Sequence, residues 1–205
     1  LHDGYQGWVR LADLAKPPEP FTANAKICQP FSVLTTDPDV KSACLHQLPF
    51  GAAVMVTGPK EKGFLPVIVL NCDGMILTGF IPEAQIQPDN EPCNEDWTDW
   101  AEKFIGAPYK WGGRSVSGLD CSALVQLSLA ASRHSLPRDT GPQLHLLEKQ
   151  TLAYDTLHNP PDDLTAGDFG RGDLIYWKGH VAICVNEQSI ILSLIHISEP
   201  TRPID

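Results

Sequence analysis

Cys121 stands at the head of an apolar run, LDCSALVQLSL, directly after the glycine-rich stretch Tyr109-Lys110-Trp111-Gly112-Gly113-Arg114. A cysteine in the first turn of a helix meets unpaired backbone N–H groups and the positive end of the helix dipole, both of which favour thiolate over thiol. The position predicts a thiol that ionises near neutral pH and serves as a nucleophile. Such a nucleophile needs a base within hydrogen-bond reach, usually a histidine oriented by a third polar group. Of the seven histidines, His180 is the best placed: it follows the Lys178-Gly179 turn in GDLIYWKGHVAICV and opens a strand. A side chain at a strand end can point over the helix that carries Cys121. His2, His46, His134, His145 and His158 fall in loops, linkers or polar helix faces. On position alone, a structural role for His180 is as open as a catalytic one.

These two residues need elements to hold them. Trp97, Trp100, Ala101, Phe104 and Ile105 recur at helical spacing and stop at Gly106-Ala107-Pro108, which predicts a helix and its end. A second helix is expected from Ser122 to Ala131 and a third from about Pro142 to Gln150. Strand patterns follow over 173–177, His180 to Val185 and from Ser189 onward. Helices first and an antiparallel sheet after them predict an α+β domain.

Ahead of that domain, from Ile27 to Ile86, short β-type runs alternate with turn signals: PFSVLTT, PFGAAVMVTG, GFLPVIVL, an Asn71-Cys72-Asp73-Gly74 turn, then MILTGFIP. Close spacing of this kind predicts a small β-barrel. DGYQGWVRLADL (3–14) has the shape of DGMILTGFIPEAQI (73–86), and is read as an internal repeat whose first copy has lost its beginning. The expected division is a barrel remnant with linker over 1–20, a barrel over 21–88, a linker over 89–96 and the α+β domain over 97–191.

The chain has 205 residues, of which 42% are hydrophobic and 20% charged, a globular composition with room for one or two cores. Fifteen Lys and Arg against 25 Asp and Glu leave a formal charge of −10, and the basic residues are scattered. Polyanion binding needs clustered cations, so nucleic acid and anionic membrane are not expected partners. No apolar run approaches the roughly 20 residues that span a bilayer, so no membrane insertion is expected. Six cysteines without a CxxC pair argue against a zinc site; a disulfide framework stays open, though a chain this long does not need one, and most of the cysteines are expected to be buried small hydrophobes.

PYKWGGRSVSGLDCSALVQ together with RGDLIYWKGHVAI resembles the NlpC/P60 family of bacterial cell-wall cysteine peptidases. The resemblance implies a papain-like domain with the cysteine on a helix and the histidine on a sheet, preceded here by modules similar to bacterial SH3-like domains. It makes Cys121 the nucleophile and His180 the general base and then acid. Tyr109 would polarise the substrate carbonyl, although a core aromatic is nearly as good a reading. Asp120 and Ser122 would bind the free amino end of a murein stem peptide, Asp120 being equally suited to cap the helix. Gly112 and Gly113 would let backbone pass beneath the substrate, and Arg138 and Asp139 would hold the fold. Ala123 stands where relatives often carry Gly, a change that a helix accepts. No metal or organic cofactor is implied.

The family's third polar residue, usually His, belongs about a dozen positions after the catalytic His. Counting from His180 lands on Leu192. From there the chain reads LSLIHISEPTR, which back-translates in one frame to a transposon adapter used in sequencing libraries. The expectation is that residues 192–205 are non-native read-through, that the catalytic domain is truncated, and that the third residue is missing. His196, displaced by an insertion, is the weaker candidate, because a strand slipped by one position turns every side chain over.

The expected activity is hydrolysis of murein peptides, at the γ-D-glutamyl bond to a diamino acid, through an acyl-enzyme on Cys121. The rivals are a non-catalytic murein-binding protein, and a papain-like amidase or acyltransferase. The acidic surface suits soluble peptide fragments, with the bacterial cytoplasm as first location and the periplasm as alternative.

Overall fold

The computed structural model describes residues 7–14, 21–71, 73–93, 96–150, 169–194 and 197–201. It forms two compact units, Gln6–Cys93 and one built from Asn94 onward.

In the first unit, residues 25–88 form β1 (Ala25–Ile27), β2 (Phe31–Thr35), β3 (Cys44–Pro49), β4 (Ala53–Val56), β5 (Phe64–Leu70), β6 (Ile76–Pro82) and β7 (Ile86–Pro88). The strands join into one sheet in the order β3-β2-β6-β5-β4-β1-β7. The observed pairs are antiparallel. Alternate residues turn inward, as a pleated strand requires. Ile27, Leu34, Val54, Val67, Val69 and Ile81 thereby make a core with almost no exposure. The β5–β6 turn is tied by Asn71, whose Oδ1 accepts from the amides of Asp73 and Met75. Gly74, at φ +76°, takes the left-handed conformation the turn needs.

A disulfide joins Cys28, just after β1, to Cys93, beyond β7, across a Cα–Cα distance of 5.2 Å. Cys44 is exposed. The disulfide that the sequence left open forms here, and exposed Cys44 departs from the expected burial, while Cys72 lies outside the described residues. The DGYQGWVRLADL segment behaves differently from its proposed twin. Residues 7–10 form no strand and Leu11–Asp13 make one exposed 3-10 turn, whereas Ile76–Pro82 pairs along its whole length with β5. A strand without a neighbour leaves its amides and carbonyls unpaired, so similar residues do not give a similar element here.

The second unit holds α1 (Trp97–Glu102), a short hairpin of β8 (Arg114–Ser115) and β9 (Gly118–Leu119), α2 (Cys121–Ala131), α3 (Thr140–Gln150), and an antiparallel sheet. That sheet is β10 (Leu174–Trp177), β11 (His180–Asn186), β12 (Ser189–Leu194) and β13 (Ile197–Thr201), in sequence order. Helices and an antiparallel sheet make the unit α+β. Cys121 to Ser128 of α2 are all buried, on every side of the helix, which packs against β11 and β12. Val181 to Cys184 of β11 are likewise buried on both faces.

Arg171 clamps α1 beside this sheet. Its guanidinium reaches Asp96 at 2.9 Å, Glu102 at 3.4 Å and Asp99, and donates to the Val185 carbonyl at 3.0 Å. The stretch read as non-native supplies the end of β12 and all of β13. His196 lies outside the described residues, and Leu192, where the third polar residue was sought, is buried.

Candidate active site

The loop before Cys121 is folded onto itself. Leu119 donates its N–H to the Pro108 carbonyl and Lys110 donates to the Leu119 carbonyl, so Tyr109 runs alongside β9. A Cβ on Gly113 would collide with the Gly118 carbonyl oxygen and come within 2.9 Å of the Lys110 oxygen. The absence of a side chain at Gly113 therefore serves closure of this loop.

Asp120 ends the loop with extended backbone (φ −96°, ψ 175°), and its side chain caps α2 by accepting the Ala123 amide at 2.9 Å. The same Oδ1 accepts from the Ser122 hydroxyl at 3.1 Å and from Arg138 at 2.8 Å. Oδ2 accepts from the Gly112 amide at 2.9 Å and from Arg138 at 2.6 Å. A carboxylate offers about four lone-pair positions, and these five donors fill them. Arg138 also donates to the Ser122 hydroxyl at 3.0 Å and the Gly113 carbonyl at 3.3 Å.

Asp120 and Ser122, expected to bind substrate, are both buried, and their polar atoms bond Arg138, each other and the backbone. Burial raises the pKa of Asp120, yet the Arg138 hydrogen bonds, the Ala123 amide and the Gly112 amide outweigh it, and the net shift is downward. The carboxyl stays ionised beneath the nucleophile.

Cys121, at 4% exposure, opens α2. Its Sγ lies 4.0 Å from the Gly179 carbonyl oxygen, and the Val181 amide also points to it. The thiol thus sits against the backbone on both sides of His180. Burial is the largest influence on the thiol and pushes its pKa up; the Asp120 charge adds to this, and the amides of Val181, Ser122 and Cys121 itself only partly offset it. The expected low pKa is not met in this state, because desolvation outweighs the helix start.

His180 faces Trp177 across the β10–β11 pair, with the two rings stacked at 5.7 Å. Its Nδ1 is buried and has no hydrogen-bond partner among the described residues. No hydrogen bond joins the imidazole to Sγ, a looseness that catalytic pairs show before substrate closes them. Tyr109 is half-buried, with a pKa raised by burial and then by the charges of Cys121 and Asp120.

Gln143, fully buried on α3, carries no chemical motif in the sequence and was missed. Its Nε2 donates to the carbonyls of Ser122 (3.0 Å) and Pro137 (2.9 Å), and its Oε1 accepts from the Tyr176 hydroxyl at 3.3 Å. The only signal was an aromatic-rich strand four residues before His180. Among the described residues no three His, Cys, Asp or Glu side chains converge as metal ligands, and no helix is long and apolar enough to cross a membrane.

A buried cysteine at a helix start is set against the strand that His180 opens, within an α+β domain. The NlpC/P60 family model matches residues 106–202, so this stretch of the chain is an NlpC/P60 family domain. A "Gamma-D-glutamyl-L-lysine dipeptidyl-peptidase" of Bacillus subtilis is 28% identical over 170 residues, 80% of this chain and 51% of the relative. A protein of the same name from Bacillus cereus is 32% identical over 104 residues, 50% of this chain and 29% of the relative. A "Probable endopeptidase p60" of Listeria innocua is 33% identical over 91 residues, 44% and 18% of the two chains. The chain therefore spans about half, or less, of these relatives' lengths. The crystal structure of an NlpC/P60 family protein from Bacillus cereus superposes with a TM-score of 0.63 at 20% identity, covering 87% of this chain and 57% of that one. At that identity the likeness concerns the fold.

Proposed function

We propose that this chain is part of a cysteine endopeptidase that hydrolyses murein stem peptides at the γ-D-glutamyl bond to a diamino acid. One observation carries the reading: the Cys121 thiol heads α2 and rests against the backbone flanking His180. The similarity to γ-D-glutamyl-L-lysine dipeptidyl-peptidases supports the substrate. In the proposed reaction His180 takes the thiol proton, and Sγ attacks the scissile carbonyl carbon. The N–H groups at the start of α2 and the Tyr109 hydroxyl face the developing oxyanion. The imidazolium returns its proton to the departing amine as the C–N bond breaks, and water then hydrolyses the thioester.

A thiol whose pKa is raised by burial gains most from this arrangement, because the imidazolium formed beside it supplies the charge that stabilises the thiolate. The test is mass spectrometry of L-Ala-γ-D-Glu-L-Lys incubated with the protein. Release of lysine by wild type and none by Cys121→Ala is expected; cleavage that survives the substitution removes Cys121 from the mechanism. Absence of cleavage by wild type, with retained binding to murein, favours the rival of a binding module.

Three further parts of the proposal rest on less. The strands over 25–88 are proposed as an SH3-like module. The Cys28–Cys93 disulfide supports work in an oxidising compartment, which favours the periplasmic alternative. Residues 192–205 are proposed as adapter read-through, which predicts that a gene amplified intact from its source diverges from this sequence at Leu192.

A further inference from the structure

Gln143 and Tyr176 form a chain of fixed hydrogen-bond polarity that ends beside the nucleophile. Both N–H bonds of the Gln143 amide are used by main-chain carbonyls, that of Ser122 next to Cys121 and that of Pro137. Flipping the amide would set its oxygen against two carbonyl oxygens, so the orientation is determined. Oε1 can only accept, and what reaches it is the Tyr176 hydroxyl at 3.3 Å. The phenol must therefore donate its one proton to Gln143, and its oxygen is left with unused acceptor capacity.

Tyr176 is only partly buried, and it lies near enough to the thiol for the Cys121 charge to raise its pKa, behind burial as the larger cause. The Asp120 carboxylate before the nucleophile already accepts five hydrogen bonds. Gln143 is tied to the carbonyl of the residue that follows Cys121, so the phenol is held in register with the first turn of α2.

We infer that Gln143 locks Tyr176 as a substrate-binding acceptor, whose oxygen receives a main-chain amide N–H from the acyl part of a peptide bound at Cys121. The partner is an N–H donor because a phenol with its proton committed has nothing to donate to a carbonyl. The inference rests on the proposed peptidase reading and adds the contact that orients its acyl residue.

The experiment compares wild type with Tyr176→Phe on two peptides, L-Ala-γ-D-Glu-L-Lys and the same peptide N-methylated at the Ala–Glu amide. The substitution keeps the ring and removes only the oxygen. Wild type is expected to lose about tenfold in kcat/KM on the methylated peptide, mainly through KM, and Tyr176→Phe to lose a similar factor on the unmodified one. The variant should then treat both peptides alike, while its Cys121 is alkylated by iodoacetamide at the wild-type rate.

A methylation penalty of equal size in both proteins overturns the inference, as does a matching fall in alkylation rate, which would place the phenol's effect on the thiol. Failure of wild type to cleave either peptide defeats the peptidase reading instead. Calorimetric binding of the two peptides to Cys121→Ala, with and without Tyr176→Phe, then makes the same comparison, and no binding by either peptide overturns the inference as well.

Discussion

Replacing Arg138 by Met should unfold the second unit far more readily, with an effect that changes with pH in a prescribed direction. The Arg138–Asp120 pair is 2.6 Å long, and its side chains are 7% and 10% exposed. Removing the guanidinium leaves the Asp120 carboxylate buried with only the Ala123 and Gly112 amides and the Ser122 hydroxyl as donors. Breaking a buried pair from one side costs about 3–5 kcal/mol.

In the native protein the Asp120 carboxyl is held below its ordinary value. Its contribution to stability is complete above an unfolded pKa of about 3.9 and disappears as pH falls through the lower folded value. Without Arg138, burial becomes the dominant influence and the pKa rises, so the cost of ionising the group grows as pH increases. The deficit of Arg138→Met should be largest at pH 7 and shrink toward pH 4. Adding Asp120→Asn removes the unpaired charge and should recover more than half of the loss.

Urea unfolding followed by tryptophan fluorescence suits the measurement, because four of the five tryptophans, Trp97, Trp100, Trp111 and Trp177, lie in this unit. A loss below about 1 kcal/mol, or one that does not vary between pH 4 and 7, would refute the reasoning.

Three other consequences are open to measurement. Cys28→Ser should destabilise the first unit by about 4 kcal/mol in the chain-entropy account of a closed loop, given the separation of 65 residues; intact mass before and after reduction shows whether two hydrogens are gained. Gly113→Ala should abolish activity and lower the melting temperature, because its Cβ meets the Gly118 carbonyl; a fully active variant would contradict the loop geometry. Asp96 is held at about 2 by the Thr98 hydroxyl and Arg171, against burial, so its stabilisation is complete above about pH 4 and fades as pH falls toward 2. With Asp96 about two-fifths exposed, Arg171→Gln should cost no more than about 1 kcal/mol, less still in high salt, and a larger salt-insensitive loss would argue against a surface cluster.

Much of the second unit could be read from spacing alone. The helix after Cys121, the helix ending at Gln150 and the strands on either side of the Lys178-Gly179 turn fall where apolar periodicity and turn residues put them. Such elements are governed by neighbours within one or two turns of chain, which sequence displays directly. The short strands β1, β7, β8 and β9 escaped because each is only two or three residues long and exists by pairing with a distant segment, as Lys26 does with Gln87. The disulfide stays open in the sequence for the same reason: its cysteines are neighbours only once β1 and β7 are joined.

The site divides along the same line. Residue types named Cys121 and His180, but what surrounds them depends on burial and on partners far along the chain. Asp120 has a type that suits either a helix cap or an amine-binding site, and local sequence cannot choose between them. What the sequence does not display is that Arg138, 18 positions on, supplies two of the hydrogen bonds to that carboxylate. The thiol shows the same dependence with the opposite outcome: the helix start lowers its pKa in principle, yet a position 4% exposed and directly after a buried carboxylate raises it. A thiol placed this way stays protonated, and so unreactive toward bulk oxidants, until a proton acceptor is brought to it. His180, with Nδ1 unpartnered and its ring stacked on Trp177, is the nearest such group along the strand that Sγ touches. In the proposed mechanism, reactivity at Cys121 is therefore a property of the pair it forms with His180, and not of the helix terminus by itself.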